Sequence, residues 1–266
     1  MDNVRPAALR RSYLFLPGAD RAALQAGPAS GADVLIQELE DFTPPPRLPE
    51  ARALAPEMLS AWRRAGAVAA LRINPLDKGG IQDLAAAMAG RPHVVALPKV
   101  AEPAHVEALD RLLGELECKH GIVAGSTEIL PNVEYARGLI QTYAIAKSSQ
   151  RVKACLVASE DMAADLGAER GRDGAELLYA RQRFLVECVA AGVVAVDCPY
   201  TFADNAGVEA EARFARRLGY RAKSAVAPAH AALINAILTP SDEQVAAARR
   251  IVVAFEAARA AGRDRV

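Results

Sequence analysis

Eight short aliphatic runs alternate with longer segments rich in Ala, Leu, Arg and Glu, and this rhythm constrains the fold more than any single motif. The runs cover residues 12–16, 33–38, 68–73, 94–97, 127–134, 152–161, 192–197 and 222–226. Helical segments are read over 20–27, 49–65, 81–89, 104–120, 175–191, 207–218, 230–238 and 241–261. Runs recurring at about 30 residues leave room for a helical crossover, and such crossovers make parallel strands. Eight parallel strands can close into an α/β (β/α)8 TIM barrel. A doubly wound open sheet is the rival, disfavoured because no Gly-rich dinucleotide turn follows the first strand. No linker or low-complexity stretch interrupts residues 1–266, so a single TIM-barrel domain is expected.

Local signals support the same division. Asp20 is placed to cap the first helix, and Ser241-Asp-Glu-Gln244 has the spacing of a capping box. Val106, Leu109, Leu112, Leu113 and Leu116 follow a helical period. Thr43-Pro-Pro-Pro46 marks a loop.

Composition excludes several classes of function. Lys and Arg total 32 and Asp and Glu total 32, so nothing points to nucleic acid or an anionic membrane as partner. With 52% hydrophobic residues the chain can bury a large core, yet no run reaches the length of a membrane span. Cys118, Cys155, Cys188 and Cys198 form no CxxC pair and read as reduced thiols. Met1-Asp-Asn-Val-Arg-Pro6 has no apolar leader. A soluble, cytoplasmic protein is the expectation.

In a parallel barrel, chemistry sits at the C-terminal ends of the strands. Those ends carry Pro17-Gly18, Glu38 to Asp41, Arg72, Asn74, Lys99, Glu134, Asp161, Asp197 and Ala227-Pro228. Taken singly, each charge could be a solvated loop residue. Glu134 and Asp161 gain weight as a pair, since each closes an apolar run and precedes a helix. Two carboxylates without His or Cys nearby suit a hard divalent cation with open positions for substrate. Arg72 closes an otherwise apolar strand, where a guanidinium needs an anion. That anion is either a substrate carboxylate or enolate oxygen, or Glu38 or Asp41 in a salt bridge. Lys99 reads as a rim ion pair or, less readily, a Schiff-base amine. The histidines (His93, His105, His120, His230) lack metal-ligand spacing, and His230 reads as a surface or capping residue. GxxxxGK[ST], GxGxxG after a strand, HExxH and GxSxG are absent.

The ordered motifs resemble the citrate lyase β-subunit-like family of the HpcH/HpaI aldolase superfamily over nearly the whole chain. Arg11-Ser-Tyr-Leu-Phe-Leu-Pro-Gly18 resembles RSxLFxPG, and the stretch from Ala32 to Asp41 resembles ADx4DLED, with Ala51-Arg52 after it. Leu71-Arg-Ile-Asn74, Leu97-Pro-Lys99 and Glu134-Tyr-Ala-Arg-Gly138 resemble VRIN, LPK and ETARG. Ser159 to Gly167 resembles GxEDLAADLG, and Asn235 to Ser241 the terminal IN…FxPS.

The resemblance implies a barrel that assembles as a homotrimer or hexamer. It also implies Mg²⁺-dependent cleavage of a 3-hydroxyacyl-CoA (citramalyl, malyl or citryl) to acetyl-CoA and a 2-oxo acid. Glu134 and Asp161 would hold the metal, Arg72 would meet the thioester oxygen as catalytic and substrate-binding residue, and Glu40 and Asp41 would order water around the metal. The alternatives are a metal-dependent aldolase of free 2-oxo acids and a weakly catalytic binding or scaffold subunit. Several positions depart from the pattern. Glu38 replaces an Asp, Gln37 an apolar residue, Leu48 a frequent Lys, and Val226-Ala-Pro228 the common IHP. A segment resembling DGxMID, whose Asp serves a neighbouring subunit as catalytic acid, has no counterpart before Val266. The general acid or base is therefore left unassigned.

Overall fold

Strands pair in the order in which the chain supplies them. In the computed structural model, which describes residues 4–202 and 204–263, eight parallel strands among the described residues form a closed barrel. They are β1 (Ser12–Pro17), β2 (Val34–Glu38), β3 (Val68–Arg72), β4 (Val94–Leu97), β5 (Glu128–Val133), β6 (Ala154–Val157), β7 (Val194–Asp197) and β8 (Ala222–Ala225). β8 returns to β1 through the Ser12–Lys223, Tyr13–Ser224 and Leu14–Ala225 pairs, so the sheet has no open edge. The expected (β/α)8 architecture is the observed one. Residues 1–3, on which the leader reading rests, and 264–266, at the chain end, lie outside the described residues.

The helices are α1 (Arg21–Ala26), α2 (Leu48–Arg64), α3 (Gly80–Ala87), α4 (Pro103–Lys119), α5 (Ala136–Leu139), α6 (Thr142–Lys147), α7 (Glu160–Asp165), α8 (Leu178–Ala191), α9 (Asn205–Leu218), α10 (Pro228–Leu238) and α11 (Asp242–Ala260). The Asp20 side chain accepts from the Ala23 N–H, and Ser241 and Gln244 exchange both bonds of the capping box. Trp62 of α2 is buried and donates to the Leu24 carbonyl at 2.9 Å. On α4 the expected stripe is buried at Val106, Leu109, Leu113 and Leu116, and Leu112 packs at its margin.

Strand alternation separates two cores. One set of residues, including Phe15, Ile36, Ala70, Ala96, Leu130, Leu156, Val196 and Ala222, fills the barrel. The residues between them, such as Leu14, Leu35, Leu71, Val95, Ile129 and Val133, face the helices. Each fully buried Leu or Val contributes roughly 1.5–3 kcal/mol. The parity decides which strand-end residues enter the barrel mouth. Glu38, Arg72 and Glu134 are in phase with the inner set. Gln37 and Asp197 are out of phase and point to the helix layer.

Two expectations change here. Asp197 is not a rim charge; it is fully buried behind the barrel wall, paired with Arg181 of α8 at 2.9 Å and Lys223 of β8 at 2.7 Å. His230 is not on the surface. It falls on the inward stripe of α10 with Ala231, Ile234, Ile237 and Leu238, is 2% exposed, and lies 6.5 Å from the Tyr200 ring.

The four cysteines are free; Cys118 is exposed and Cys155, Cys188 and Cys198 are buried. Among the described residues no helix is long and apolar enough to cross a membrane. Helix α11 stands apart, with Ile251, Val252, Val253 and Phe255 exposed and Ala258 its one buried residue.

Candidate active site

The mouth of the barrel is built on a tight junction between β1 and β2. A Cβ on Gly18 would lie 2.3 Å from the Glu38 carbonyl oxygen, so only glycine lets the two strand ends approach this closely. Thr43 seals the junction by accepting from the Gly18 N–H at 3.1 Å and donating to the Glu38 carbonyl at 2.5 Å. Glu38 then folds the following loop around its own carboxylate, accepting from the backbone N–H groups of Glu40 (2.6 Å) and Phe42. This turn brings Glu40 and Asp41 back over the mouth.

Arg72 is the hub. Its Nε donates to Glu38 at 2.7 Å and its Nη2 to Asp41 at 2.9 Å, so the salt-bridge reading of this residue is observed. Nη1 is held more loosely, 3.5 Å from Glu40 and 3.9 Å from Glu134. The guanidinium carbon lies 5.2 Å from the Phe15 ring centroid and 6.0 Å from that of Phe42, which narrows its freedom. Burial alone would lower its pKa, but the surrounding carboxylates of Glu38, Glu40 and Glu134 outweigh that and raise it. Two sides of the fork are thus anchored, and the third is directed at the carboxylates of the mouth.

Lys99 is an ion pair with Glu40, with Asp41 3.6 Å away. It adopts a left-handed backbone (φ 55°), which a non-glycine residue occupies at a cost. Burial opposes its charge, yet the bond to Glu40 raises its pKa, so the amine is protonated and poorly suited to Schiff-base chemistry.

Glu134 follows β5 and has no solvent exposure. Neither carboxylate oxygen has a hydrogen-bond partner of ordinary geometry among the described residues. Burial, with the charges of Glu40 and Asp161, pushes its pKa up to about 8 against the opposing pull of Arg72 and the Lys99 backbone. A buried carboxylate in this state is costly unless a cation reaches it. Glu40 shares the condition in part, because its Oε2 is buried without a hydrogen bond, 3.5 Å from Arg72 Nη1, and burial raises its pKa against Arg72 and Lys99.

Asp161 lies four residues beyond the strand end where it was expected. β6 ends at Val157, and Asp161 is the second residue of α7, half-buried, in a first turn where the helix dipole favours acids. Asp165, at the other end of α7, accepts from the Ala136 N–H at 2.8 Å, tying α7 to the start of α5 just after Glu134. A Cβ on Gly138 would come within 2.3 Å of the Val100 carbonyl, so α5 is pinned in turn against the segment after Lys99.

The structure brings Glu40, Asp41, Arg72, Glu134 and Asp161 to one mouth. Among the described residues no group of three or more His, Cys, Asp or Glu side chains is arranged to hold a metal ion. A cation held by two carboxylates would therefore keep most of its positions for water and substrate. Asn74 and Arg52 have structural roles. Asn74 bonds the Leu39 carbonyl and Asp83 at 2.8 Å each, and Arg52 holds Asp83 at 2.7 Å. Asn132, inside the barrel, was not singled out from sequence. The period-two series Leu130, Asn132, Glu134 was the signal that could have found it.

A model of the HpcH/HpaI aldolase/citrate lyase family matches residues 11–228. The chain belongs to that family. The citrate lyase subunit beta of Leuconostoc mesenteroides subsp. cremoris is 31% identical over 98% of this chain and 86% of its own length. The L-malyl-CoA/beta-methylmalyl-CoA lyase of Cereibacter sphaeroides (strain ATCC 17025 / ATH 2.4.3) is 32% identical over 97% of this chain and 87% of its own. The crystal structure of the CitE protein from Mycobacterium tuberculosis in complex with magnesium, acetoacetate and coenzyme A superposes with a TM-score of 0.75 at 27% identity, covering 94% of this chain and 89% of that one. Membership of this family makes the chain a carbon–carbon lyase of the HpcH/HpaI type.

Proposed function

We propose that this lyase is Mg²⁺-dependent and interconverts a small 3-hydroxyacyl-CoA, of citramalyl, malyl or citryl kind, with acetyl-CoA and a 2-oxo acid. The observation that carries the proposal is Glu134, buried beside the charge of Asp161 with neither oxygen in a hydrogen bond of ordinary geometry. These two residues would hold the cation, and their all-oxygen chemistry suits Mg²⁺. Bound there, the cation would supply Lewis acidity to the oxygens of the hydroxy- or oxo-acid half.

The chain's own residues do the rest. Arg72, locked by Glu38 and Asp41, offers Nη1 as counter-charge to the oxygen of the acetyl-CoA enolate. Glu40 and Asp41 order water at the mouth. A groove of about 460 Å³ beside Lys99, lined by Pro75, Leu76, His105 and Tyr135 among others, suits the arm of a thioester and favours the CoA reading over free 2-oxo acids.

Arg72→Lys keeps the charge but loses the fork. Its kcat is expected to fall by about 10²–10³ with Mg²⁺ affinity retained. Steady-state kinetics beside a calorimetric Mg²⁺ titration measure both, and an unchanged kcat would remove Arg72 from the chemistry. CoA added with Mg²⁺ is expected to raise the melting temperature, by the general linkage of binding to stability. No shift with CoA, alongside a shift with pyruvate, would favour the aldolase of free acids.

The proposal includes self-association, with the exposed apolar residues of α11 covered by a second copy of the chain. Light scattering of Val252→Asp against the unmodified protein tests it, and an unchanged mass would reject α11 as the contact.

A further inference from the structure

Asn132 is a fully buried polar side chain of β5, on the inner face below the candidate metal ligands. Its neighbours along the strand settle its direction. Leu130, two residues earlier, belongs to the core inside the barrel, whereas Ile129 and Val133 belong to the core against the helices. Asn132 therefore faces inward, on the same side as Glu134 and about 6.6 Å deeper along the strand axis. It has no solvent exposure, and neither its Oδ1 nor its Nδ2 has a hydrogen-bond partner among the described residues. The strand partner across from it is Leu156, and Leu130 lies below it on the same face.

An amide with both ends unsatisfied is costly in such a place, and a leucine of similar volume is not. The stability of the metal-free fold gives no reason for an asparagine there. A bound oxygen does, because a carboxamide both donates and accepts.

We propose that Asn132 is a substrate-binding, specificity-determining residue that hydrogen-bonds an oxygen substituent on the buried end of the 2-oxo acid. The inference rests on the proposed binding of that acid against Glu134. It narrows that reading, setting aside the pyruvate and glyoxylate that citramalyl and malyl thioesters would release in favour of an acid bearing a polar group at the carbon next to its oxo carbon. The charge of Glu134 favours a hydroxyl over a second carboxylate, whose charge would add to it. A site built to bond an oxygen discriminates against the analogue that lacks it, because its own polar group is then left unpaired.

The test is calorimetric binding of pyruvate, 3-hydroxypyruvate and oxaloacetate in saturating Mg²⁺ to the full chain and to Asn132→Leu. Asn132→Ala serves as a second variant. The unmodified protein is expected to bind 3-hydroxypyruvate about 10- to 100-fold more tightly than pyruvate, and the ratio should collapse towards one in both variants. A preference for oxaloacetate that collapses in the same way supports the assignment and identifies the substituent as a carboxylate. Equal binding of all three acids by the unmodified protein overturns the assignment and leaves the metal–oxo-acid reading intact. A preference that survives both variants does the same. Absence of binding by any acid overturns both.

Discussion

Glu134→Gln is expected to abolish saturable Mg²⁺-dependent binding of oxaloacetate or pyruvate, while the metal-free protein melts at or above the temperature of the unmodified chain. The two halves of this result have one cause. Burial has pushed the Glu134 carboxyl up to about 8, so at neutral pH the metal-free protein holds it largely protonated. A glutamine has nearly the shape and the charge of that protonated acid, and the fold loses little. A cation, by contrast, requires the carboxylate, and an amide oxygen offers it no net charge. The rate should fall by at least about 10³, since both metal affinity and the orientation of the acid depend on this residue. Asp161→Asn should weaken binding less steeply, because Asp161 is half-exposed and water can stand in for one of its oxygens. Calorimetry with Mg²⁺ and each acid, with a thermal melt in chelator, reads both halves. Metal affinity surviving in Glu134→Gln would refute the site. A large drop in metal-free stability would show instead that Glu134 is a structural charge.

Sequence and structure agree most closely where local chemistry and topology demand the same thing. The eight aliphatic runs had to be parallel strands because of the crossovers between them, and Gly18 had to be glycine because β1 and β2 nearly touch behind it. Glu134 was legible for the same reason, since it terminates an apolar strand and its phase carries it inward. Asp197 terminates a strand just as cleanly and was misplaced. What separates the two is one step of parity, and parity is fixed only once the barrel closes and inner and outer faces exist. Asp161 was found but placed on a strand end; the helix claimed it, because acids in a first turn are favoured and β6 is short. Asn132 stayed hidden because the Leu130, Asn132, Glu134 alternation gives its face but not the lack of partners for its amide. It becomes conspicuous only when its partners can be counted.

Asp197→Asn is expected to destabilise the fold by about 3–5 kcal/mol, the usual result of removing one member of a buried charge cluster. Asp197 receives both nitrogens of Arg181 at 2.9 Å and Lys223 Nζ at 2.7 Å, and Glu211 of α9 stands 3.1 Å from Arg181 and 3.5 Å from Lys223. The set couples β7 and β8 to α8 and α9, far from bulk water. Burial by itself would raise the Asp197 pKa, and Lys223 and Arg181 reverse this, leaving it lowered. Burial would likewise lower that of Lys223, and Asp197 reverses it, leaving it raised. The cluster's contribution is therefore lost as pH falls through the depressed value of Asp197. It is lost again as pH rises through the elevated value of Lys223, and it is complete between the ordinary values of the two groups, 3.8 and 10.5. In Asp197→Asn two buried cations face Glu211 alone, so burial should win at Lys223 and lower its pKa. The deficit of the variant should then be greatest near neutral pH and shrink in alkali, as Lys223 sheds its proton more easily than it does in the parent. Urea unfolding at a series of pH values measures this difference directly. A deficit that is independent of pH would mean that Asp197 acts through shape and hydrogen bonding, with its charge of little consequence.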